Sequence, residues 1–376
     1  VSNPFFYGGI AGKGSFCNRK QELTDLTDML VSGSRCFLYA ERRMGKTSLA
    51  RKAIDALPAN KYLPIYVDLW PTDNSAAFVE TTARAITQAS ETKAGKLLEV
   101  AKALFSRLKP SVTVDDGGQP KVEFGMGSGT ASKLDLTEAL DAPEALAKRL
   151  KKKVVVVFDE FQQIMQYDDD LTERQLRSSI QQHKHVSYLF LGSRKHLLQS
   201  MFLDQSRPLY RSAAHYPLGA IATEHWLPFI TSRFRKTQKK IDKATTTRLC
   251  EQTEGHPFYT QHLCHVLWSM TVVGEAVQPE QIDAAVTELL RRESHAYITL
   301  WEMLTRNEQR LLRGLANSEP PIKPFSAAFT REFGLRSASN SQRASESLLQ
   351  KDIIDREEQS LVITDRFLRL WIQRAT

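Results

Sequence analysis

Residues 154–158 read VVVVF, and Asp159 and Glu160 follow directly. A strand that is apolar at every position has no face to offer to water, so it must lie in a parallel sheet covered by helices on both sides. Three further short apolar runs, RCFLYA at 35–40, YLPIYVDLW at 62–70 and SYLFL at 187–191, lie among stretches of helical pattern. Strands alternating with helices at this spacing predict an α/β fold, a parallel sheet joined by right-handed crossovers.

The rest of the chain divides around that sheet. Leu23, Leu26 and Leu30 recur at helical spacing before Gly33, and TSLARKAIDAL at 47–57 predicts a helix ended by Pro58. Residues 73–108 read as mostly helical. Two alternating runs, 111–114 and 121–124, flank an Asp-Gly-Gly turn and predict a hairpin, whose polar tip around Asp115 and Gly118 is a candidate contact surface. From about Trp226 to Arg292 the pattern is wholly helical. Beyond Leu300, short helices, the break NSEPPIKP and two final β runs predict a winged helix. A chain of 376 residues has room for two or three cores. The expected division is a core at 1–225, a helical lid at 226–299 and a winged helix at 300–376.

The segment AERRMGKT, 40–47, fits the phosphate-loop pattern G-x-x-x-x-G-K-[ST] except that Ala40 replaces the first glycine. In that pattern backbone N–H groups wrap the β-phosphate, the lysine reaches the β- and γ-phosphates, and the hydroxyl binds magnesium. Here an apolar strand precedes the motif and a helix follows it, so Gly45, Lys46 and Thr47 are expected where a helix N-terminus would face the anion, with Arg42, Arg43, Met44 and Ser48 as further candidate nucleotide-binding residues. Ala40 occupies the turn position, where the loss of glycine is small. The other reading is a Lys/Arg-rich helix start.

Asp159 and Glu160 close a buried parallel strand, at the edge where open α/β sheets bind ligands. Asp159, with Thr47, is the expected Mg²⁺ holder and Glu160 the residue that polarises the attacking water. Ser193 and Arg194 follow the next strand, either beside a γ-phosphate or in an ordinary strand-to-helix turn. Arg207 and Arg211 flank PLY, and Arg211 is a candidate arginine finger beside the alternative of a solvated loop residue. Gly255, His256 and Pro257 open a helix, where proline is tolerated in the first turn. No acidic or cysteine partner joins His256, His262 and His265, so core or surface histidines are expected rather than a metal centre.

In order, NPFFYG, FCNRKQEL, RRMGKTSL, VVVVFDEFQ, LFLGSRKHLL, RPLYR, GHPFYTQ and ITDRFLRLWI resemble the archaeal-type predicted ATPases. That family belongs to the STAND class of signalling NTPases, related to AAA+ proteins. The resemblance covers nearly the whole chain. It implies ATP and Mg²⁺ as ligands, with Phe16, Asn18 and Arg19 by the adenine and Gly255 to Pro257 in a nucleotide-sensing lid. The family usually has Gly-Pro before its paired arginines, where this chain has Ala40 and Glu41.

The function expected is a slow Mg-dependent ATPase whose binding state switches the conformation or oligomeric state that a partner protein reads. Its alternative is a DNA-dependent ATPase acting through the winged helix. A net charge of +8, from 51 basic and 43 acidic residues, suits polyanions of either kind. Residues 337–350 form the candidate recognition helix, with Asn340, Ser341, Gln342 and Arg343 suited to bases and phosphates. Yet residues 303–376 hold only 12 basic against 9 acidic residues, which favours a protein-interaction or autoinhibitory module. The expected partner is an effector protein or a second copy of the chain. No window approaches the roughly 18 apolar residues of a membrane span. Four cysteines without zinc-finger spacing and an opening without an apolar signal segment make the cytoplasm the expected compartment.

Overall fold

The computed structural model describes residues 2–12, 14–90, 94–114, 120–125, 131–193, 200–319, 322–357 and 360–375. They form two units, one of Arg19–Ala40 with Lys46–Leu218, the other of Val1–Asn18, Glu41–Gly45 and Gly219–Thr376.

The first unit is built on a five-stranded, wholly parallel sheet. Its strands are β1 (Arg35–Tyr39), β2 (Tyr62–Asp68), β5 (Lys153–Asp159), β6 (Val186–Gly192) and β7 (Ala214–Pro217), in the order β2-β5-β6-β1-β7. Residues 154–159 of β5 are buried at every position, as a central strand with both faces covered requires. The helices are α1 (Lys20–Val31), α2 (Lys46–Asp55), α3 (Ser75–Ser90), α4 (Ala94–Leu104), α5 (Lys133–Leu150) and α6 (Leu171–Gln182). The apolar stripes of α3, α4, α5 and α6 join the sheet in one core that includes Phe37, Phe78, Leu136, Phe158, Leu176 and Phe190. Strands β3 (Pro110–Val114) and β4 (Pro120–Phe124) pair antiparallel as the expected hairpin, and its tip at 115–119 lies outside the described residues.

The register matters for the site. Asp68 of β2 stands opposite Asp159 of β5, and Tyr39 of β1 stands opposite Gly192 of β6. The strand ends therefore line one edge, and β6 separates the strand that leads into the phosphate loop from the strand that ends in Asp159. Strand β7 was absent from the sequence reading. Its four residues, AHYP, are half-exposed and end in proline, so they carry no apolar run to find.

The second unit is helical at first, with α7 (Thr223–Lys236), α8 (Lys243–Gln252), α9 (Pro257–Met270) and α10 (Glu280–Glu302). The winged helix follows as α11 (Arg306–Asn317), α12 (Ala327–Glu332), α13 (Ala338–Gln350), β8 (Ile354–Glu357), β9 (Ser360–Ile363) and α14 (Arg366–Ala375). Trp226, Leu263, Leu289, Leu312, Leu348 and Phe367 belong to one continuous core that runs through both parts. Helix ends are fixed by side chains. Thr305 and Glu308 form a reciprocal capping box on α11, and Ser337 accepts the Asn340 N–H at the start of α13. Among the described residues no helix is long and apolar enough to cross a membrane.

Candidate nucleotide site

Between β1 and α2 the chain turns through the segment AERRMGKT. Gly45 has φ +90° and Arg43 φ +61°. A Cβ built on Gly45 meets nothing within 4 Å, so the demand for glycine is one of backbone conformation. Ala40 has no positive φ, and its N–H donates to Gly192 O at 3.4 Å, an extension of the β1–β6 ladder. Any L-residue small enough for the buried position fits there, which explains why alanine replaces the first glycine.

Lys46 and Thr47 are the first residues of α2. Buried Lys46 donates from Nζ to Ala40 O at 3.1 Å, so its ammonium group is turned back to the residue that follows β1. Thr47 Oγ1 donates to Asp159 Oδ2 at 2.9 Å. The same oxygen accepts the Tyr66 hydroxyl, and the other, Oδ1, accepts the Glu160 N–H at 2.9 Å. Burial, and then the Asp159 carboxylate, hold the Tyr66 phenol far above its ordinary pKa, so it remains a donor. Arg51 covers the Tyr66 ring at 4.5 Å.

Glu160 sits one residue past the strand with φ +52°, an uncommon conformation for a residue with a side chain. Its carboxylate accepts the Ser193 hydroxyl at 3.0 Å and the Gln162 amide. The end of β6 thus supplies Ser193 as a direct partner of the acidic residue that ends β5. Tyr66 and Gln162 escaped the sequence reading. The first depends on the pairing of β2 with β5, and the second on the turn into the short 3₁₀ segment Phe161–Gln166.

In the other unit, the loop residues before Lys46 have partners of their own. Glu41 Oε2 pairs with Arg366 Nη1 at 2.7 Å, and Arg42 Nη2 pairs with Asp352 Oδ2 at 2.7 Å. Arg43 lies over the Phe258 ring at 4.2 Å, and Met44 is buried. His256 caps α9 by accepting the Phe258 N–H on Nδ1, and its Nε2 faces Arg42 O at 3.2 Å. With Nδ1 accepting, Nε2 is the ring nitrogen that donates to Arg42 O. Gly255 precedes it at φ +63°, and a Cβ there would come to 2.3 Å from Ile221 O, so glycine is required twice over. Pro257 opens α9 in the position predicted for it.

The remaining expected residues are less gathered. Half-buried Phe16 and Asn18 belong to the unit that holds α9, whereas buried Arg19 belongs to the sheet unit and pairs with Glu22 at 2.8 Å. Ser48 is buried in the first turn of α2. Exposed Arg211 lies against the Tyr210 ring at 5.2 Å, and Arg207 is taken up by buried Glu173. Arg194 lies outside the described residues. His262 stacks on Tyr7 at 3.9 Å and His265 faces Phe5 O at 3.0 Å. On the candidate recognition helix, Ser341 is fully buried and donates to Pro324 O at 2.7 Å, so it cannot face a base, contrary to the sequence reading.

A carboxylate and a hydroxyl in contact form an oxygen donor pair of the kind Mg²⁺ takes. Among the described residues no group of three or more His, Cys, Asp or Glu side chains is placed to hold a metal ion. A cation at Thr47 and Asp159 would therefore need phosphate oxygens and water to complete its shell.

The model of an ATPase domain predominantly from Archaea matches residues 16–263, and that of a probable winged helix domain matches residues 295–374. Comparison with curated protein sequences gives no match. Among solved structures, the Walker-type ATPase paby2304 of Pyrococcus abyssi is similar at a TM-score of 0.61 and 16% identity, over 96% of this chain and 97% of that one. The Aeropyrum pernix ORC2 protein, solved in ADPNP and ADP complexes, is similar at 0.51 and 15% identity, over 95% and 94% of the two chains. At these identities the likeness is one of fold.

Proposed function

The chain belongs to the family of ATPase domains found predominantly in Archaea, and from that premise we propose a Mg-dependent ATP hydrolase that works as a slow switch. The observation that carries the reading is the contact of Thr47 with Asp159 beside a buried Lys46 at a helix N-terminus. Lys46 exchanges Ala40 O for the β- and γ-phosphate oxygens when ATP enters, and the N–H groups of Gly45, Lys46 and Thr47 receive the β-phosphate. Thr47 and Asp159 are the residues that would hold Mg²⁺, which when bound screens phosphate charge and orients the γ-phosphoryl group. Glu160 accepts the proton of the attacking water. Ser193, its hydroxyl partner, keeps that carboxylate turned away until a γ-phosphate competes for the hydroxyl.

Three parts divide the labour in this proposal, the core at 1–225, the lid at 226–299 and the winged helix at 300–376. Gly255, His256 and Pro257 place the start of a lid helix at the loop backbone, so bound nucleotide biases the lid between two states. The winged helix then presents the state to a partner protein or to a second copy of the chain, in the manner of STAND switches. ATP turnover with and without duplex DNA, with particle mass measured in each state, tests this. Slow turnover indifferent to DNA and a mass that changes with ATP are expected. Turnover stimulated by DNA would replace the switch with a DNA-dependent ATPase.

A further inference from the structure

Arg366 is the first residue of α14, and its backbone is fixed by Asp365, whose Oδ1 accepts the Phe367 and Leu368 N–H groups at 2.9 and 3.1 Å. Its guanidinium is 11% exposed and lies between two carboxylates, Glu41 Oε2 at 2.7 Å from Nη1 and Glu254 Oε2 at 2.7 Å from Nε. Arg369 completes the row by pairing with Glu254 Oε1 at 2.5 Å. Burial works against the Arg366 charge, and Glu41 and Glu254 more than offset it, so its pKa stands above the ordinary arginine value. Two acidic and two basic groups alternate, so the row is neutral and loss of any single member leaves a net charge.

Glu41 is the unusual member. It puts a carboxylate inside a loop whose motif serves to receive an anion. Without the Arg366 charge that carboxylate would oppose a polyphosphate entering the loop, and at 17% exposure water would screen it only in part.

We propose that Arg366 is a positioning residue for the phosphate loop, one that cancels the charge of Glu41 and holds the loop in the shape a polyphosphate enters. The role rests on the nucleotide reading of the site given above. His256 and Asp352 support it by holding Arg42 through its carbonyl and its guanidinium. A residue of the C-terminal module thereby sets nucleotide affinity without touching the nucleotide. Whatever displaces α14 from Glu41 weakens ATP binding, and a partner that clamps α14 strengthens it.

The test is a charge cycle in the full chain, with MgATP affinity and melting temperature measured for wild type, Glu41→Gln, Arg366→Gln and the double variant. Arg366→Gln should bind MgATP about tenfold more weakly, equivalent to about 1.4 kcal/mol. Glu41→Gln should bind at least as tightly as wild type. The double variant should recover to within about threefold of wild type, because the uncancelled carboxylate is gone. A purely structural ion pair moves the melting temperature in this pattern and leaves MgATP affinity at the wild-type value in all four proteins. Wild-type affinity in Arg366→Gln, or a double variant as weak as Arg366→Gln, would overturn the proposal, and the second comparison holds even if Arg366→Gln melts early. Equal MgATP affinity in wild type and Lys46→Ala would instead overturn the nucleotide reading itself.

Discussion

The two halves of the phosphate-binding segment are held by different chemistry. Thr47 reaches Asp159 by a hydroxyl hydrogen bond, Tyr66 joins them from the next strand, and Ser193 does the same for Glu160. Tyr66 and Ser193 come from strands that flank β5, and Thr47 comes from the first turn of α2. Glu41, Arg42 and Arg43, a few residues earlier, are held by an arginine, an aspartate and an aromatic ring from the helical and winged-helix parts. Hydroxyl partners on a sheet edge hold a carboxylate in place without neutralising it, so it keeps the charge that holding a cation or taking a proton requires. Charged partners on separate elements can be exchanged, which suits regulation.

Disabling the sheet edge alone has the largest expected effect. Glu160→Gln keeps the shape of the side chain but removes its capacity to take a proton, so turnover should fall about 100-fold or more while MgATP affinity stays near wild type. Turnover near the wild-type rate would move the catalytic base elsewhere. On the other side of the comparison, Gly255→Ala forces a Cβ against Ile221 O at a left-handed backbone position. A loss of about 2 kcal/mol of stability, read as a lower melting temperature, is expected. An unshifted melting curve would mean that the turn before α9 relaxes freely.

Smaller changes sharpen the contrast. Tyr66→Phe removes one of two donors to Asp159 Oδ2. The Mg²⁺ concentration for half-maximal turnover should rise by a few fold, on the order of one hydrogen bond to a charged group. An unchanged requirement would reduce Tyr66 to packing. The smallest effect is acidic. Burial first, then His265, Arg292 and Arg43, pull the His262 pKa down to about 4. The unfolded chain takes up that proton near the ordinary value of 6.5, so the stability contributed by neutral His262 is complete above 6.5. It is lost as pH falls through about 4, in α9, the helix capped by His256. Melting temperatures between these limits should fall less steeply for His262→Asn, and parallel slopes would refute the assignment.

Much of the sheet edge is legible in the sequence because its signals are local. VVVVFDE places a buried strand and its acidic end in seven consecutive residues, and AERRMGKT brings strand, turn and helix together. Tyr66 is illegible because it needs the register of β2 against β5, which an apolar run does not specify. Arg366 is still further out of reach, since it meets Glu41 across 325 positions and lies in a helix that reads only as part of a winged helix. Ser341 shows the opposite failure. A polar residue in a candidate recognition helix looks exposed, but the helix turns it inward to a backbone carbonyl.

Lys46 is the residue on which the two halves of the segment meet, and titration of wild type and Lys46→Ala with a fluorescent ATP analogue in the presence of Mg²⁺ is the most direct measurement. Removing the ammonium group should cost about 100-fold or more in affinity, the order expected when a charged phosphate partner is lost from a buried position. Saturable binding by wild type with none detectable in Lys46→Ala is the expected result. Equal affinity in the two proteins would contradict the site.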